Sequence, residues 1–111
     1  MNYFEIKPDG QAYIRTDSGT VIRKVGNGEK VNHADFNRDE TLFAITYISG
    51  MCEIRDRKNN LVKTIATEGV SEAYWKLKSS ETKRKLFRKV DVKEYIMLLM
   101  EDGTKVEVTH T

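Results

Sequence analysis

The chain has 111 residues, of which 39% are hydrophobic and 32% charged, and its formal net charge is +2. This balance is typical of a folded domain with a modest core and argues against a disordered chain. A net charge this small does not by itself indicate a nucleic-acid partner. The sequence therefore predicts a single folded domain over residues 1–111.

Targeting and membrane signals are not evident in the sequence. The first ten residues, MNYFEIKPDG, lack the basic start and the apolar run of a signal peptide. The longest strongly apolar run, Tyr95–Met100, is far shorter than the about 20 residues of a membrane helix. Cys52 is the single cysteine, so it cannot form an internal disulfide, which fits a reducing compartment. We therefore expect a cytoplasmic protein that does not bind membranes.

The first unit, about residues 1–30, predicts three short strands separated by turns. A β-forming segment around Phe4 and Ile6 precedes Lys7–Gly10, in which proline and glycine favour a chain reversal. Two further strands are predicted at residues 11–16 and 20–25, on either side of a turn that ends at Gly19.

Residues 31–66 predict a four-stranded antiparallel meander. Leu42–Ile48 is dense in β-forming residues, Cys52–Asp56 alternates in polarity, and Ser49-Gly50 between them favours a tight hairpin turn. Both faces of the Leu42–Ile48 strand are apolar, which is typical of a strand covered by sheets on both sides. The two faces consist of Phe43, Ile45 and Tyr47, and of Leu42, Ala44 and Ile48.

The third unit, about residues 67–111, ends in a hairpin over Tyr95–Thr109 and contains an insertion. From Trp75 to Gly103 the chain advances 28 residues, whereas from Phe36 to Gly50 it advances 14. The additional residues form a basic insert at about residues 76–90. Ser79 or Ser80 is a candidate cap for a short helix that begins near Glu81.

Two spacings relate the three units. The pattern Val31-x-x-Ala34-x-Phe36 recurs as Val70-x-x-Ala73-x-Trp75, at an offset of 39 residues. Aligning the first unit with the second places Gly19 on Gly50, at an offset of 31 residues. Such self-similarity indicates repeated supersecondary units.

The middle unit resembles one blade of a WD40-type β-propeller. The resemblance covers Ala34–Glu40, the Leu42–Ile48 strand, Ile54-Arg55-Asp56 and Leu61–Ile65, and repeats of that family span about 40–45 residues. Arg55-Asp56 stands where the family has Trp-Asp, and no Gly-His pair precedes the unit. The resemblance implies the outline of a blade and no catalytic residues.

Three units are fewer than the four to eight blades that typically close a propeller. We therefore predict a mainly β fold: an antiparallel meander of three blade-like units, an incomplete propeller completed by self-association, with a homodimer favoured. The alternative is a small β-sandwich or barrel with one short helix.

No residue pattern indicates catalysis, a cofactor or a metal. His33, His110 and Cys52 lack the short spacings of a zinc site, and no serine, threonine or cysteine has a catalytic signature around it. Cys52 is expected to be a packing residue, and His33 an edge-strand residue. Three nearby carboxylates are expected to bond the backbone of a turn: Asp35, Asp39 and Glu40. We therefore expect that the protein is not an enzyme.

The predicted function is a non-enzymatic interaction or scaffold module that binds a protein partner through its loops. Trp75 and Phe87 are the predicted partner-binding residues. The alternative is binding of nucleic acid or another polyanion through the basic insert, residues 76–89, because clustered basic side chains neutralise phosphates. A solvated loop is the third interpretation of the insert. The predicted polyanion-binding residues are Lys83, Arg84, Lys85, Arg88 and Lys89.

Overall fold

The computed structural model describes residues 1–84 and 87–109, and the side chains of residues 80–91 lie outside that description. Within these residues the regular structure consists of ten strands and no helix. The strands are β1 (Tyr3–Ile6), β2 (Ala12–Arg15), β3 (Val21–Val25), β4 (Val31–Phe36), β5 (Leu42–Tyr47), β6 (Cys52–Asp56), β7 (Leu61–Ala66), β8 (Val70–Arg84), β9 (Phe87–Met100) and β10 (Lys105–Thr109).

Consecutive strands form three separate antiparallel sheets. Sheet A has the order β1-β2-β3, sheet B the order β4-β5-β6-β7, and sheet C the order β10-β9-β8. The predicted mainly β, antiparallel meander is therefore confirmed. Each sheet is open at both edges, so the alternative of a single barrel is wrong.

Sheet B lies between the other two sheets and contributes to a hydrophobic core on each side. Phe43, Ile45 and Tyr47 of β5 pack toward sheet A, and Ala44 packs toward sheet C. The prediction that β5 is covered on both faces is therefore confirmed. Ile48 is an exception, because it lies in the turn after β5 and is 61% exposed.

The turns of sheets A and B repeat each other at an offset of 40 residues. The carbonyl of Gly10 accepts a hydrogen bond from the Val31 amide at 2.9 Å, and the carbonyl of Gly50 accepts one from the Val70 amide at 3.0 Å. Gly10 therefore corresponds to Gly50, and the predicted alignment of Gly19 with Gly50 is wrong.

The second hairpin of each sheet shows the same correspondence. The Arg15 guanidinium donates to the carbonyl of Gly19 at 2.5 Å, and the Arg55 guanidinium donates to the carbonyl of Asn59 at 2.8 Å. Gly19 and Asn59 both have positive φ, 88° and 71°, which glycine and asparagine tolerate best. Strands β1, β2 and β3 thus correspond to β5, β6 and β7.

Strand β8 repeats β4 at the predicted offset of 39 residues. Both strands pair with the next strand in the same register, and both have an irregularity directly after their first valine. The equivalent cross-strand pairs are Val31–Tyr47 and Val70–Met100, Ala34–Ile45 and Ala73–Leu98, and Phe36–Phe43 and Trp75–Ile96. Since β1 corresponds to β5, sheet A has no strand among the described residues that corresponds to β4.

The basic insert continues the β8–β9 hairpin as a two-stranded ribbon. The register is continuous from Glu72 opposite Leu99 to Arg84 opposite Phe87. The predicted short helix near Glu81 is therefore wrong. Cross-strand hydrogen bonds use the backbone groups that a helix would need, and valines at positions 90 and 92 of the partner strand favour extended structure.

Glycine at position 50 is required by both its conformation and its surroundings. Gly50 and Gly103 occupy equivalent turns and have φ of +91° and +88°. A Cβ at Gly50 would lie 2.6 Å from the Gly69 backbone nitrogen, whereas one at Gly103 would meet nothing within 4 Å. The equivalent pair separates the cost of positive φ from the cost of steric overlap.

We predict that Gly50→Ala destabilises the protein more than Gly103→Ala. Gly103→Ala is expected to lower the free energy of unfolding by about 1 kcal/mol, the usual cost of a Cβ at positive φ. Gly50→Ala is expected to lower it by at least about 2 kcal/mol more, because the adjoining backbone must move. Urea unfolding followed by circular dichroism measures both. Equal losses would show that the contact with Gly69 does not constrain the fold.

Candidate functional site

Two clefts flank the end of β4. The first cleft, with a volume of about 460 Å³, lies between residues 1–4 and residues 34–38 and 40. The second cleft, of about 250 Å³, lies between the end of β4 and the base of the ribbon. The residues that line both clefts are Asp35, Phe36 and Arg38.

Aromatic stacking builds the apolar side of the first cleft. The rings of Phe4 and Phe36 stack with their centroids 4.2 Å apart, and Phe43 lies edge-on to Phe36 at 6.2 Å. Phe4 comes from sheet A, and the other two rings come from sheet B. The first cleft therefore lies at the junction of these sheets, which the aromatic cluster holds together.

Of the three carboxylates predicted to bond the backbone of a turn, Asp39 does so between β4 and β5, whereas the prediction is wrong for Asp35, which lies in β4 and accepts from the Trp75 amide of β8. Asp39 accepts hydrogen bonds from the hydroxyl and the amide of Thr41, which hold the pKa of Asp39 below its ordinary value. Glu40 accepts from the Asn2 amide at 3.1 Å. Glu94 of β9 accepts from the Arg38 amide at 2.9 Å. These contacts fasten the turn to both neighbouring sheets.

The second cleft has apolar and charged groups side by side. Trp75 is half-buried against the core between sheets B and C, and its backbone amide donates to Asp35 Oδ2 at 2.8 Å. Leu77 follows on β8 and is 50% exposed. Lys76 and Glu94 also line the cleft. The second cleft therefore combines an exposed leucine and a half-buried tryptophan with charged neighbours.

The structure places the two predicted partner-binding residues far apart. Trp75 lies opposite Ile96, and Phe87 lies nine positions earlier on β9, opposite Arg84. At about 3.3 Å per residue, this separation is roughly 30 Å along the strand. The side chain of Phe87 is outside the described residues. Trp75 therefore belongs to the second cleft, and Phe87 belongs to the far part of the ribbon.

The predicted polyanion-binding residues cluster at that same part of the ribbon. Lys83 pairs with Arg88, and Lys89 pairs with Thr82. Arg84 ends β8, and Lys85 lies outside the described residues. For the others the structure places the backbone but not the side chain.

The structure places Cys52 in a core and His33 on an edge strand. Cys52 is fully buried in the core between sheets B and C, and burial raises the pKa of its thiol to about 12, which confirms it as a packing residue. His33 lies on the edge strand β4, as predicted, with its ring 4.6 Å from that of Tyr74. His110 lies outside the described residues. Within the described part of the chain, no three metal-ligating side chains come together.

A buried polar cluster links sheets A and B, and the sequence analysis missed it. The Tyr47 hydroxyl donates to the Glu53 carboxylate at 2.5 Å and accepts from the Asn27 amide at 3.0 Å. Arg55 Nε donates to Glu53 at 2.9 Å. Burial, followed by the hydrogen bond to Glu53, raises the pKa of Tyr47 well above its ordinary value. The available signal was a Glu and an Arg two residues apart, on one face of a core strand.

Comparisons with known proteins assign no family to the chain. No protein-family model matches it, and no curated protein matches its sequence significantly. Among the residues that the structure describes, no helix has the length and apolar character needed to cross a membrane. Function is therefore inferred from the clefts and the ribbon.

We predict that Tyr47→Phe lowers stability. The substitution removes the donor to the buried Glu53 and the acceptor for Asn27, so the free energy of unfolding should fall by about 1–3 kcal/mol. Tyr3→Phe is the matched control, because Tyr3 is 45% exposed, and it should cost less than about 0.5 kcal/mol. Urea unfolding measures both. A loss from Tyr47→Phe as small as that of the control would contradict a stabilising role for the cluster.

Proposed function

We propose that the protein is a non-enzymatic interaction module that binds a partner protein through the surface formed by the two clefts. The single observation that carries this proposal is the second cleft, where Leu77 is exposed beside Trp75 and charged side chains line the rim. Apolar anchors surrounded by polar groups give binding energy at the centre of an interface and specificity at its edge.

The arrangement of the sheets supports the blade-like architecture that the resemblance to WD40 repeats implies. Three antiparallel sheets stack through their faces, and equivalent residues recur at offsets of 39 and 40 residues. Propeller blades stack in this manner and have repeats of similar length. Propeller-type folds present loops and clefts at blade junctions, and both clefts of this chain lie at junctions between neighbouring sheets.

The self-association expected from the sequence stays a prediction, and the outer faces of sheets A and C carry ion pairs beside partly exposed aromatic and apolar side chains. In sheet A, Glu5 occupies the position that Ile45 has in sheet B, and it pairs with Arg15 at 2.9 Å. In sheet C, Lys78 pairs with Glu107 at 2.8 Å. Stacked repeats commonly end in polar outer faces. A ring of two copies would bury these charges, which is unfavourable unless each finds a new partner.

We predict that Leu77→Asp abolishes binding to partner peptides while the fold is retained. Peptides selected from a random library against the wild-type chain provide the ligand, and fluorescence anisotropy measures their affinity. An aspartate removes the exposed apolar anchor, so the dissociation constant should rise by about tenfold or more.

Leu61→Asp is the matched control for this experiment. Leu61 is 52% exposed and lies on β7, the strand of sheet B farthest in order from β4. Its substitution adds the same charge at similar exposure and should leave peptide affinity unchanged. Peptides that bind equally well to both variants would rule out the second cleft as the binding surface.

Polyanion binding through the ribbon is the second candidate function, and the shape of the ribbon favours it. A two-stranded antiparallel ribbon fits the major groove of B-DNA. Exposed Lys76 and Lys78 lie at its base, Lys93 is opposite Lys78, and Lys83 is opposite Arg88. Basic residues therefore occur along both strands.

We predict that any binding to mixed-sequence duplex DNA weakens steeply as salt rises. The double variant Lys83→Ala/Arg88→Ala should reduce the slope of log affinity against log salt by about 1 for each phosphate that is no longer neutralised. The control, Lys58→Ala/Lys63→Ala, removes two charges from sheet B. Affinity that is absent, insensitive to salt, or equally affected by both variants would exclude the ribbon as a polyanion site.

A further inference from the structure

Strand β1 has an open edge. At the equivalent edge, sheets B and C each have one more strand. Strand β4 pairs with β5, and β8 pairs with β9. Strand β1 corresponds to β5, yet it is the edge of sheet A, whose described strands supply no counterpart to β4. The first cleft lies along the start of this edge, between residues 1–4 and the end of β4.

The backbone of β1 has hydrogen-bonding groups free for another strand. The Lys7 amide donates to the Gln11 carbonyl at 2.8 Å, within the turn that joins β1 to β2. Backbone groups alternate in direction along a strand, so the amides of Phe4 and Ile6 point away from β2. An exposed edge of this kind is a template for an added strand.

The internal repeat indicates which side chain the added strand carries toward sheet B. On β4, Asp35 Oδ2 accepts from the backbone amide of Trp75 at 2.8 Å. Trp75 corresponds to Phe36, which lines the first cleft. By the same alternation, the backbone amide of Phe36 points away from β5. An acidic residue at the position equivalent to Asp35 would make the same charge-assisted hydrogen bond to Phe36.

We propose that β1 binds an extended segment of a partner protein as an added antiparallel strand, with an acidic side chain bonded to the Phe36 amide. The inference rests on the proposed interaction function and specifies the form of the partner at the first cleft. Binding of this kind takes affinity from backbone hydrogen bonds and specificity from alternate side chains.

A partner protein is favoured over a second copy of the chain as the source of the strand. The segment with the required acidic residue, in β4, is already paired inside sheet B. The outer face of sheet A also carries the Glu5–Arg15 ion pair, which disfavours stacking of another sheet there. A free extended segment avoids both conflicts.

A synthetic peptide with the sequence of Lys30–Asn37 is the probe for the test. Amide chemical shifts and hydrogen exchange, measured by NMR on the full chain, should show binding with protection of the Phe4 and Ile6 amides. A peptide carrying Asp35→Lys should bind about tenfold more weakly or worse, because the acceptor for Phe36 is replaced by a cation.

Protein variants locate the binding edge. Ile6→Pro removes an amide that points to the open edge and should abolish peptide binding. Lys24→Pro is the matched control, because the alternation places the Lys24 amide on the opposite open edge of sheet A. This variant should bind the peptide as the wild type does. The two peptides test the proposal on the wild-type chain, whether or not the proline variants fold.

Any of three results would overturn the inference: absence of peptide binding, equal binding of the two peptides, or chemical-shift changes confined to the second cleft. A dimer that Ile6→Pro dissociates, measured by light scattering without peptide, would instead identify a second copy as the occupant. If Leu77→Asp loses partner binding and Ile6→Pro does not, the proposed interaction function stands and strand addition at β1 is rejected. Failure of the further inference is thus distinguishable from failure of the proposed function.

Discussion

Strand β5 has no face left for water, and the rest of the structure depends on that constraint. Phe43, Ile45 and Tyr47 are buried against sheet A, while Ala44 is buried against sheet C. Removing either outer sheet would expose one of these sets, and large apolar surfaces in water are costly. The three sheets therefore stabilise one another through sheet B. The outer faces of sheets A and C carry ion pairs beside partly exposed aromatic and apolar side chains such as Tyr3 and Met97.

Each sheet is joined to the next by a backbone contact that depends on glycine. The linker that enters sheet B donates to the Gly10 carbonyl, and the linker that enters sheet C donates to the Gly50 carbonyl. In both places a Cβ would lie under 3.0 Å from the linker. The sequences around these turns differ, since one contains proline and the other isoleucine and serine. The offset of 40 residues is therefore visible in the hydrogen bonds but was hidden in the sequence.

The sequence predicts features that depend on residues close together in the chain. It does not predict features that depend on residues far apart in the chain. Alternating β-formers and glycine turns were enough to place the strands of sheets A and B and the two-sided burial of β5. The Ser79–Glu81 cap pattern was misleading, because pairing with a strand beyond it overrides a local helix signal. The clefts combine residues 1–4 with residues 34–40, a juxtaposition that only the tertiary fold creates. Trp75 was identified as a candidate from its position beside the basic insert, but its distance from Phe87 became visible only in the ribbon.

The ribbon separates the two candidate functions in space. The clefts lie where β4 meets sheets A and C, and their shape is fixed by the carboxylates around the β4–β5 turn and by the aromatic cluster. The basic pairs of the ribbon lie roughly 30 Å farther along β8 and β9. A small ligand cannot contact both regions. The separation ends at Lys76, which lines the second cleft and lies at the base of the ribbon, so a partner at the second cleft and a polyanion at that base would compete for it.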